Sequence, residues 1–228
     1  MARRFDGLLI DFYGTISTGD RDVVEAVCKK IVSDCELRLT PLELTVRWGE
    51  EFFGLLGRSN RENFRTLYEC ERISLSETLD KLGAARADVG PYISELEEYW
   101  ANPPVHADAL EFLRKVRIPT CCVSNADTRP LHAAIERHGL RFDGIITSEL
   151  AGCYKPDPAI FHKALSLLNL RPERVMHVGD SLHSDISGAQ NAGISAAWIH
   201  RASRIHDIGK RTPELTVTSL PDLLPVLL

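Results

Sequence analysis

Phe5-Asp6-Gly7-Leu8-Leu9-Ile10-Asp11-Phe12-Tyr13-Gly14-Thr15 sets an apolar run, Leu8 to Ile10, directly before an acid, an aromatic pair, a glycine and a threonine. A short apolar run bounded by turn residues reads as a buried strand. A carboxylate at the C-terminal end of such a strand falls where open parallel sheets bind ligands, in the crevice outside the strand ends. Taken alone, Asp11 reads equally well as a turn or cap acid, since Asp is a preferred cap residue. Later stretches decide between these.

Downstream of Thr15 the pattern becomes helical. Val23, Val24, Val27, Ile31 and Val32 recur at helical spacing. Thr40-Pro41 followed by Glu43 reads as an N-cap, a proline at the first position and an acid in the first turn. Leu42, Val46, Phe53 and Leu56 are then expected on one face. Further helices are expected near 60–71, 74–86 and 91–101. No strand pattern interrupts them, and the block ends at the breaker Asn102-Pro103-Pro104.

From there strand and helix alternate. Helix 107–116 precedes strand Thr120–Val123, which ends at Ser124-Asn125. Helix 128–138 precedes strand 144–146, the loop Gly152-Cys153-Tyr154-Lys155-Pro156-Asp157-Pro158 and a helix to about Leu168. Strand Val175–Val178 ends at Gly179-Asp180. Helix 185–192, strand Ser195–Ile199 and a last strand and helix follow. Such alternation predicts an α/β fold, a doubly wound, Rossmann-like parallel sheet with helices on both faces. Residues 1–17 and 103–228 form the expected core domain, and 18–102 an inserted all-helical cap over the C-terminal edge of the sheet.

The chain has 228 residues, is 44% hydrophobic and 26% charged, and carries a net charge of −5. These values are ordinary for a soluble globular protein. Basic residues form no run longer than a pair, as at Arg3-Arg4 and Lys29-Lys30, which argues against nucleic acid as a partner. No apolar stretch approaches membrane length, and the run after Arg4 is too short for a signal-peptide core. Six cysteines without C-x-x-C spacing suggest a reduced, cytoplasmic setting. Eight histidines form no H-x-x-x-H pair, so no zinc site is indicated.

Asp11, Ser124, Lys155, and Asp180 with Asp185 all fall at expected strand ends or in the loops beside them. Each has a plainer reading: a turn serine, a solvated lysine, a helix-capping acid. Together they place a carboxylate, a hydroxyl, an ammonium and an acid pair in one crevice. In their order and spacing, Asp11-Phe12-Tyr13-Gly14-Thr15, Ser124-Asn125, Lys155-Pro156-Asp157-Pro158 and Gly179-Asp180 with Asp185 resemble the motifs of the haloacid dehalogenase superfamily. The resemblance covers the whole chain, and the inserted block matches that superfamily's helical cap.

By that resemblance Asp11 is the nucleophile, Ser124 with Asn125 orients the substrate oxyanion, and Lys155 holds the charge of nucleophile and substrate. Asp11, Asp180 and the backbone carbonyl of Tyr13 would bind Mg²⁺, with Asp185 supporting it directly or through water. The physical logic agrees. Attack by a carboxylate divides a difficult hydrolysis into two steps. Two like charges ~4 Å apart cost on the order of 4 kcal/mol at an effective dielectric of about 20. Lys155 offsets one carboxylate, and oxygen-only ligands suit Mg²⁺ for the rest.

Position 13 departs from the pattern. Phosphatases of the superfamily carry a second Asp there as general acid and base. Tyrosine, with a pKa of about 10, is a poor base near neutral pH. The Asp-Phe-Tyr-Gly-Thr start looks like the L-2-haloacid dehalogenases, which use a cap arginine for the halide, and Arg47 is the matching candidate. Those enzymes place a serine where Asp180 stands and need no metal. The acid pair therefore favours hydrolysis of a small phosphorylated substrate, with dehalogenation as the alternative. Phosphonoacetaldehyde hydrolase ranks third, because it needs a cap lysine and the block has only Lys29, Lys30 and Lys81. A non-catalytic binding protein is the reading from another class. Substrate choice would fall to Arg47, Trp48, Phe52 and Phe53. His183 is a candidate substitute base, since histidine titrates near pH ~6.5. The sequence names neither the substrate nor the oligomeric state.

Overall fold

The computed structural model describes residues 4–201 and 211–227. Six strands form one parallel sheet in the order β3-β2-β1-β4-β5-β6: β1 Gly7–Ile10, β2 Thr120–Ser124, β3 Gly144–Thr147, β4 Val175–Gly179, β5 Ser195–Ile199 and β6 Leu215–Val217. Every residue of β1 is buried, as a central parallel strand requires. Alternation sends its side chains to two layers. Leu8 and Ile10 join Cys122, Met176 and Val178 on one face, while Leu9 joins Cys121, Val123 and Val175 on the other. The neighbouring Cys121 and Cys122 thus serve opposite cores.

Helices cover both faces. Four lie between β1 and Pro103: α1 Asp20–Asp34, α2 Pro41–Arg58, α3 Leu67–Lys81 and α4 Gly90–Trp100. Next come α5 Ala107–Lys115, α6 Thr128–Arg137, the short α7 Ser148–Ala151 and α8 Pro158–Leu168. Ala109 and Phe112 of α5 and Leu131, Ala134 and Ile135 of α6 pack on the first face, and Ile160, Phe161, Ala164 and Leu165 of α8 on the second.

The first four helices build a third core from Val27, Ile31, Leu44, Trp48, Leu75, Leu79, Ile93 and Leu96. This block joins the sheet through two adjacent crossings. Ser17 and Val105 form an isolated antiparallel bridge, Thr18 N donates to Pro104 O at 2.9 Å, and His106 N donates to Ile16 O at 2.9 Å. Among the described residues no helix is long and apolar enough to cross a membrane.

Local chemistry explains the helix starts. Thr40 Oγ1 accepts from Glu43 N at 3.2 Å, and Thr40 N donates back to the Glu43 carboxylate at 2.7 Å, a capping box with Pro41 at the first turn. The same device at Thr66 and Glu69 starts α3 at Leu67. That corrects the expected helix 60–71, of which Arg61–Asn63 forms only a 3₁₀ turn. The expected helix 74–86 belongs to α3 and ends at Lys81, where Gly83 takes a positive φ of 82°. Leu42, Val46 and Phe53 do share a face of α2, but it is the solvent face, 52–69% exposed; the buried stripe is Leu44, Trp48 and Leu55. Helix 185–192 is instead a π-helical turn, Leu182–Ser187, running into Gly188–Asn191.

Candidate active site

Asp11 is the first residue beyond β1. Its N–H donates to Val178 O at 3.0 Å, which carries the sheet register one step past the strand and buries the side chain. Gly14, at φ 84°, then lets the chain turn sharply, with Ile16 N and Ser17 N both donating to Phe12 O at 2.8 and 2.9 Å. Ser124 ends β2, two strand-widths from Asp180, which follows the last residue of β4.

Lys155 reaches the centre of this edge from the loop before α8. Its Nζ lies 2.6 Å from Asp11 Oδ1, 2.6 Å from Asp185 Oδ1 and 3.0 Å from Val123 O. An ammonium has three protons, and all three are used. Asn125 fixes the lysine's backbone, accepting from Lys155 N at 2.7 Å and donating to Lys155 O at 3.2 Å. Asn125 therefore positions Lys155, and both of its amide atoms are committed to that.

Asp185 is equally saturated. Its Oδ1 receives Lys155 and His177 Nε2, the latter at 2.9 Å, and its Oδ2 receives Ser181 N at 3.1 Å. Gly179 makes room for it, because a Cβ there would fall 2.1 Å from the Asp185 carboxyl carbon. Asp180 accepts from Thr15 Oγ1 at 3.4 Å, and its backbone carbonyl accepts from Trp198 Nε1 at 2.8 Å. Asp11, Asp180 and Asp185 each present a carboxylate oxygen within 4.8 Å of the other two.

The charges do not balance. Burial pushes the Lys155 ammonium down, but Asp11 and Asp185 outweigh it and hold the proton on. Burial also works against ionised Asp185, yet Lys155 and His177 keep its carboxyl well below the usual range. Asp11 is left with the deficit: burial and the Asp185 charge raise it despite Lys155. One ammonium cannot serve three buried carboxylates. Asp11 Oδ2 is buried with no hydrogen-bond partner among the described residues, and so is Ser124 Oγ. Buried orphans of this kind call for a ligand. A hard divalent cation fits the donor set, all oxygen and mostly anionic.

The Tyr13 hydroxyl is engaged within the protein. Its hydroxyl donates to the Trp100 carbonyl at 2.7 Å, and its ring packs edge-on against Phe12 and Trp100 at centroid distances of 5.0 and 5.1 Å. Burial raises the phenol far above its ordinary pKa, so its one proton stays on that bond. Arg47 is exposed on α2, and its charge acts on Glu43 one turn away. Trp48 belongs to the core of the helical block and donates to Ser74 Oγ at 2.9 Å. Phe53 is solvent-exposed, and His183 is exposed on the π-helical turn.

Several participants escape sequence reading. Thr15 and His177 reach the acids only through the sheet. Asp127 accepts from Leu67 N at 2.7 Å and Tyr68 N at 2.9 Å, seating the start of α3 on the loop after β2. Tyr154, beside Lys155, donates its hydroxyl to Arg65 O at 2.8 Å and its N–H to Asn60 Oδ1 at 2.7 Å. The only available sequence signal for His177 is a polar residue inside an otherwise apolar strand.

The parallel sheet thus carries at its C-terminal edge a buried cluster of three carboxylates and one ammonium. The family model for haloacid dehalogenase-like hydrolases matches residues 5–193, and the chain belongs to that family. It is 39% identical over 88 residues to glyceraldehyde 3-phosphate phosphatase of Pyrococcus furiosus, covering 38% of this chain and 37% of that protein. It is 34% identical over 164 residues to haloacid dehalogenase-like hydrolase domain-containing protein 3 of Bos taurus, covering 67% of this chain and 65% of that one. These matches thus span between about a third and two thirds of each relative's length. Among solved structures, the L-2-haloacid dehalogenase of Xanthobacter autotrophicus superposes with a TM-score of 0.78 at 19% identity, covering 98% of this chain and 100% of that one. The magnesium-bound hydrolase YfnB of Bacillus subtilis gives 0.78 at 22%, covering 99% of each chain. At such identities the likeness to these two is one of fold.

Proposed function

We propose that the chain is a Mg²⁺-dependent phosphatase acting on a small phosphorylated metabolite through an Asp11 nucleophile. The carrying observation is the buried, unpartnered Asp11 Oδ2 within a set of three carboxylates that shares a single ammonium. A dehalogenase acting on a haloacid would add a fourth carboxylate to this set; Arg47, its candidate halide ligand, is exposed rather than gathered with the buried cluster. The partial match to a phosphatase of phosphorylated metabolites supports the same choice.

Asp11 Oδ2 would attack phosphorus and expel the leaving oxygen, and water would then cleave the aspartyl phosphate. Ser124 Oγ, which has no hydrogen-bond partner among the described residues, would donate to a phosphoryl oxygen. Lys155 holds Asp11 through Oδ1, which leaves Oδ2 as the attacking atom. Asp11 and Asp180 would hold the metal with the Tyr13 carbonyl, and Asp185, saturated by Lys155, His177 and Ser181, would support it from behind. When bound, Mg²⁺ supplies charge neutralisation for nucleophile and phosphate. Residues 18–102 would serve as a cap over the core 1–17 and 103–228, with Arg47 available to the outer end of a substrate. Six free thiols suit a cytoplasmic setting.

The test is turnover of p-nitrophenyl phosphate with and without Mg²⁺, followed by a screen of phosphorylated metabolites and 2-haloacids. Activity that needs Mg²⁺ and vanishes in Asp11→Asn is expected. Metal-independent halide release from L-2-chloropropionate would replace this reading with dehalogenation. Ligand binding without turnover would replace it with a binding protein.

A further inference from the structure

Glu71 lies one turn into α3, inside the helical block, and is only 4% exposed. Its Oε1 accepts from Trp100 Nε1 at 2.9 Å. Its Oε2 is buried with no hydrogen-bond partner among the described residues. The charges that act on it are acids, Glu97 of α4 and Asp127 of the loop after β2. Burial first, then these two acids, push its carboxyl up to about 8, against the opposing bond from Trp100.

Three contacts tie the loops around the crevice to the elements that carry Glu71. Trp100, which holds its Oε1, receives the Tyr13 hydroxyl, two residues beyond Asp11. Asp127, three residues beyond Ser124, holds the first N–H groups of α3 one turn before Glu71. Tyr154, immediately before Lys155, bonds to Arg65 just ahead of α3, and Glu71 adds to the charges that raise its phenol, as it does for Tyr13. Residues beside Asp11, Ser124 and Lys155 thus bond to Trp100 and to the start of α3, the elements that hold this carboxyl, and Tyr13, Asp127 and Tyr154 lie within range of its charge.

We propose that Glu71 is the general acid and base that position 13 does not supply. The assignment rests on the phosphatase reading. In the first step Asp11 Oδ2 bonds to phosphorus, the bond from phosphorus to the leaving oxygen breaks, and that oxygen takes its electron pair and the Glu71 proton to leave as an alcohol. In the second step the Glu71 carboxylate accepts a proton from water as the water oxygen bonds to phosphorus. The bond from phosphorus to Asp11 breaks, its electrons return to the carboxylate, and inorganic phosphate departs with Glu71 protonated again. A donor in the helical block acts on the outer, leaving-group side of the phosphate, opposite Asp11, as in-line displacement requires.

The experiment compares wild type, Glu71→Gln and Glu71→Asp on para-substituted phenyl phosphates with Mg²⁺. Gln keeps an oxygen for Trp100 Nε1, and circular dichroism checks that both variants fold. Protonating the leaving group matters least for p-nitrophenolate and most for unsubstituted phenolate. Glu71→Gln should therefore lower kcat/KM for phenyl phosphate by ~10²–10⁴-fold and leave p-nitrophenyl phosphate within about threefold. The dependence on leaving-group pKa should steepen accordingly. The wild-type profile should fall above a pH of about 8, and the variant should lose that limb. Glu71→Asp should restore part of the phenyl phosphate activity. Parallel leaving-group slopes in wild type and Glu71→Gln, with the alkaline limb retained, would overturn the assignment while leaving Asp11 chemistry intact. No phosphate hydrolysis by wild type would overturn both readings.

Discussion

Replacing Lys155 by methionine removes the ammonium and keeps the length of the side chain. In the wild type that ammonium lies 2.6 Å from Asp11 Oδ1 and from Asp185 Oδ1, with side chains 2–6% exposed. Without it two buried carboxylates face each other. Oxygens of these acids lie within 4.8 Å, so at an effective dielectric of about 20 the repulsion is on the order of 3–4 kcal/mol. Removing one partner from a buried ion pair typically costs ~3–5 kcal/mol, which agrees. For a chain of this size the melting temperature should fall by roughly 2–4 °C per kcal/mol, on the order of 10 °C in all.

The loss should depend on pH in a defined direction. In the wild type the depressed Asp185 carboxyl contributes stability that is present above the ordinary carboxylate range and lost only as pH falls below that range towards the depressed folded value. In the variant the paired carboxyls are raised, so stability declines as pH rises. The gap between the two proteins should be smaller near pH ~4, where the variant's carboxyls stay protonated, and widen towards pH ~8. Thermal and urea denaturation with a metal chelator present, across that range, would measure it. A deficit that stays constant with pH, or a variant as stable as wild type at pH ~8, would refute the charge argument.

Glu71→Gln should match wild type in stability near pH ~4.5 and exceed it increasingly up to about pH 8, by as much as ~5 kcal/mol, because the raised carboxyl binds its proton only in the folded state; denaturation midpoints against pH test this, and equal midpoints throughout would show that the carboxyl is not held in a dry site. Asp180→Ala should abolish Mg²⁺ binding in calorimetry while the fold persists, and retained binding would move the site away from the sheet edge. Tyr13→Phe should cost about 1 kcal/mol, the worth of its bond to Trp100, and leave the leaving-group dependence of hydrolysis unchanged; a steepened dependence would return the acid role to Tyr13.

Much of the architecture is legible without coordinates, because period and punctuation carry local physics. The β1 run, the alternation after Pro104 and the Thr40-Pro41 start of α2 follow from burial, turn residues and capping, which act over a few residues. Asp11, Ser124, Lys155, Asp180 and Asp185 were readable as one set because parallel strands bring their C-terminal ends to one edge. Helix ends were less legible: Thr66 and Glu69 outcompeted the apolar pattern from residue 60, and one apolar face of α2 turned outward because Leu44, Trp48 and Leu55 on its other side fill the core of the helical block. Tertiary structure alone decided how hydrogen-bonding capacity is shared. It gave all three Lys155 protons away, saturated Asp185, tied Tyr13 to a carbonyl 87 residues distant and left oxygens of Asp11, Ser124 and Glu71 without hydrogen-bond partners among the described residues. Those outcomes depend on distances between chain segments that no local pattern encodes, and a buried polar atom is settled only by what the rest of the fold places beside it.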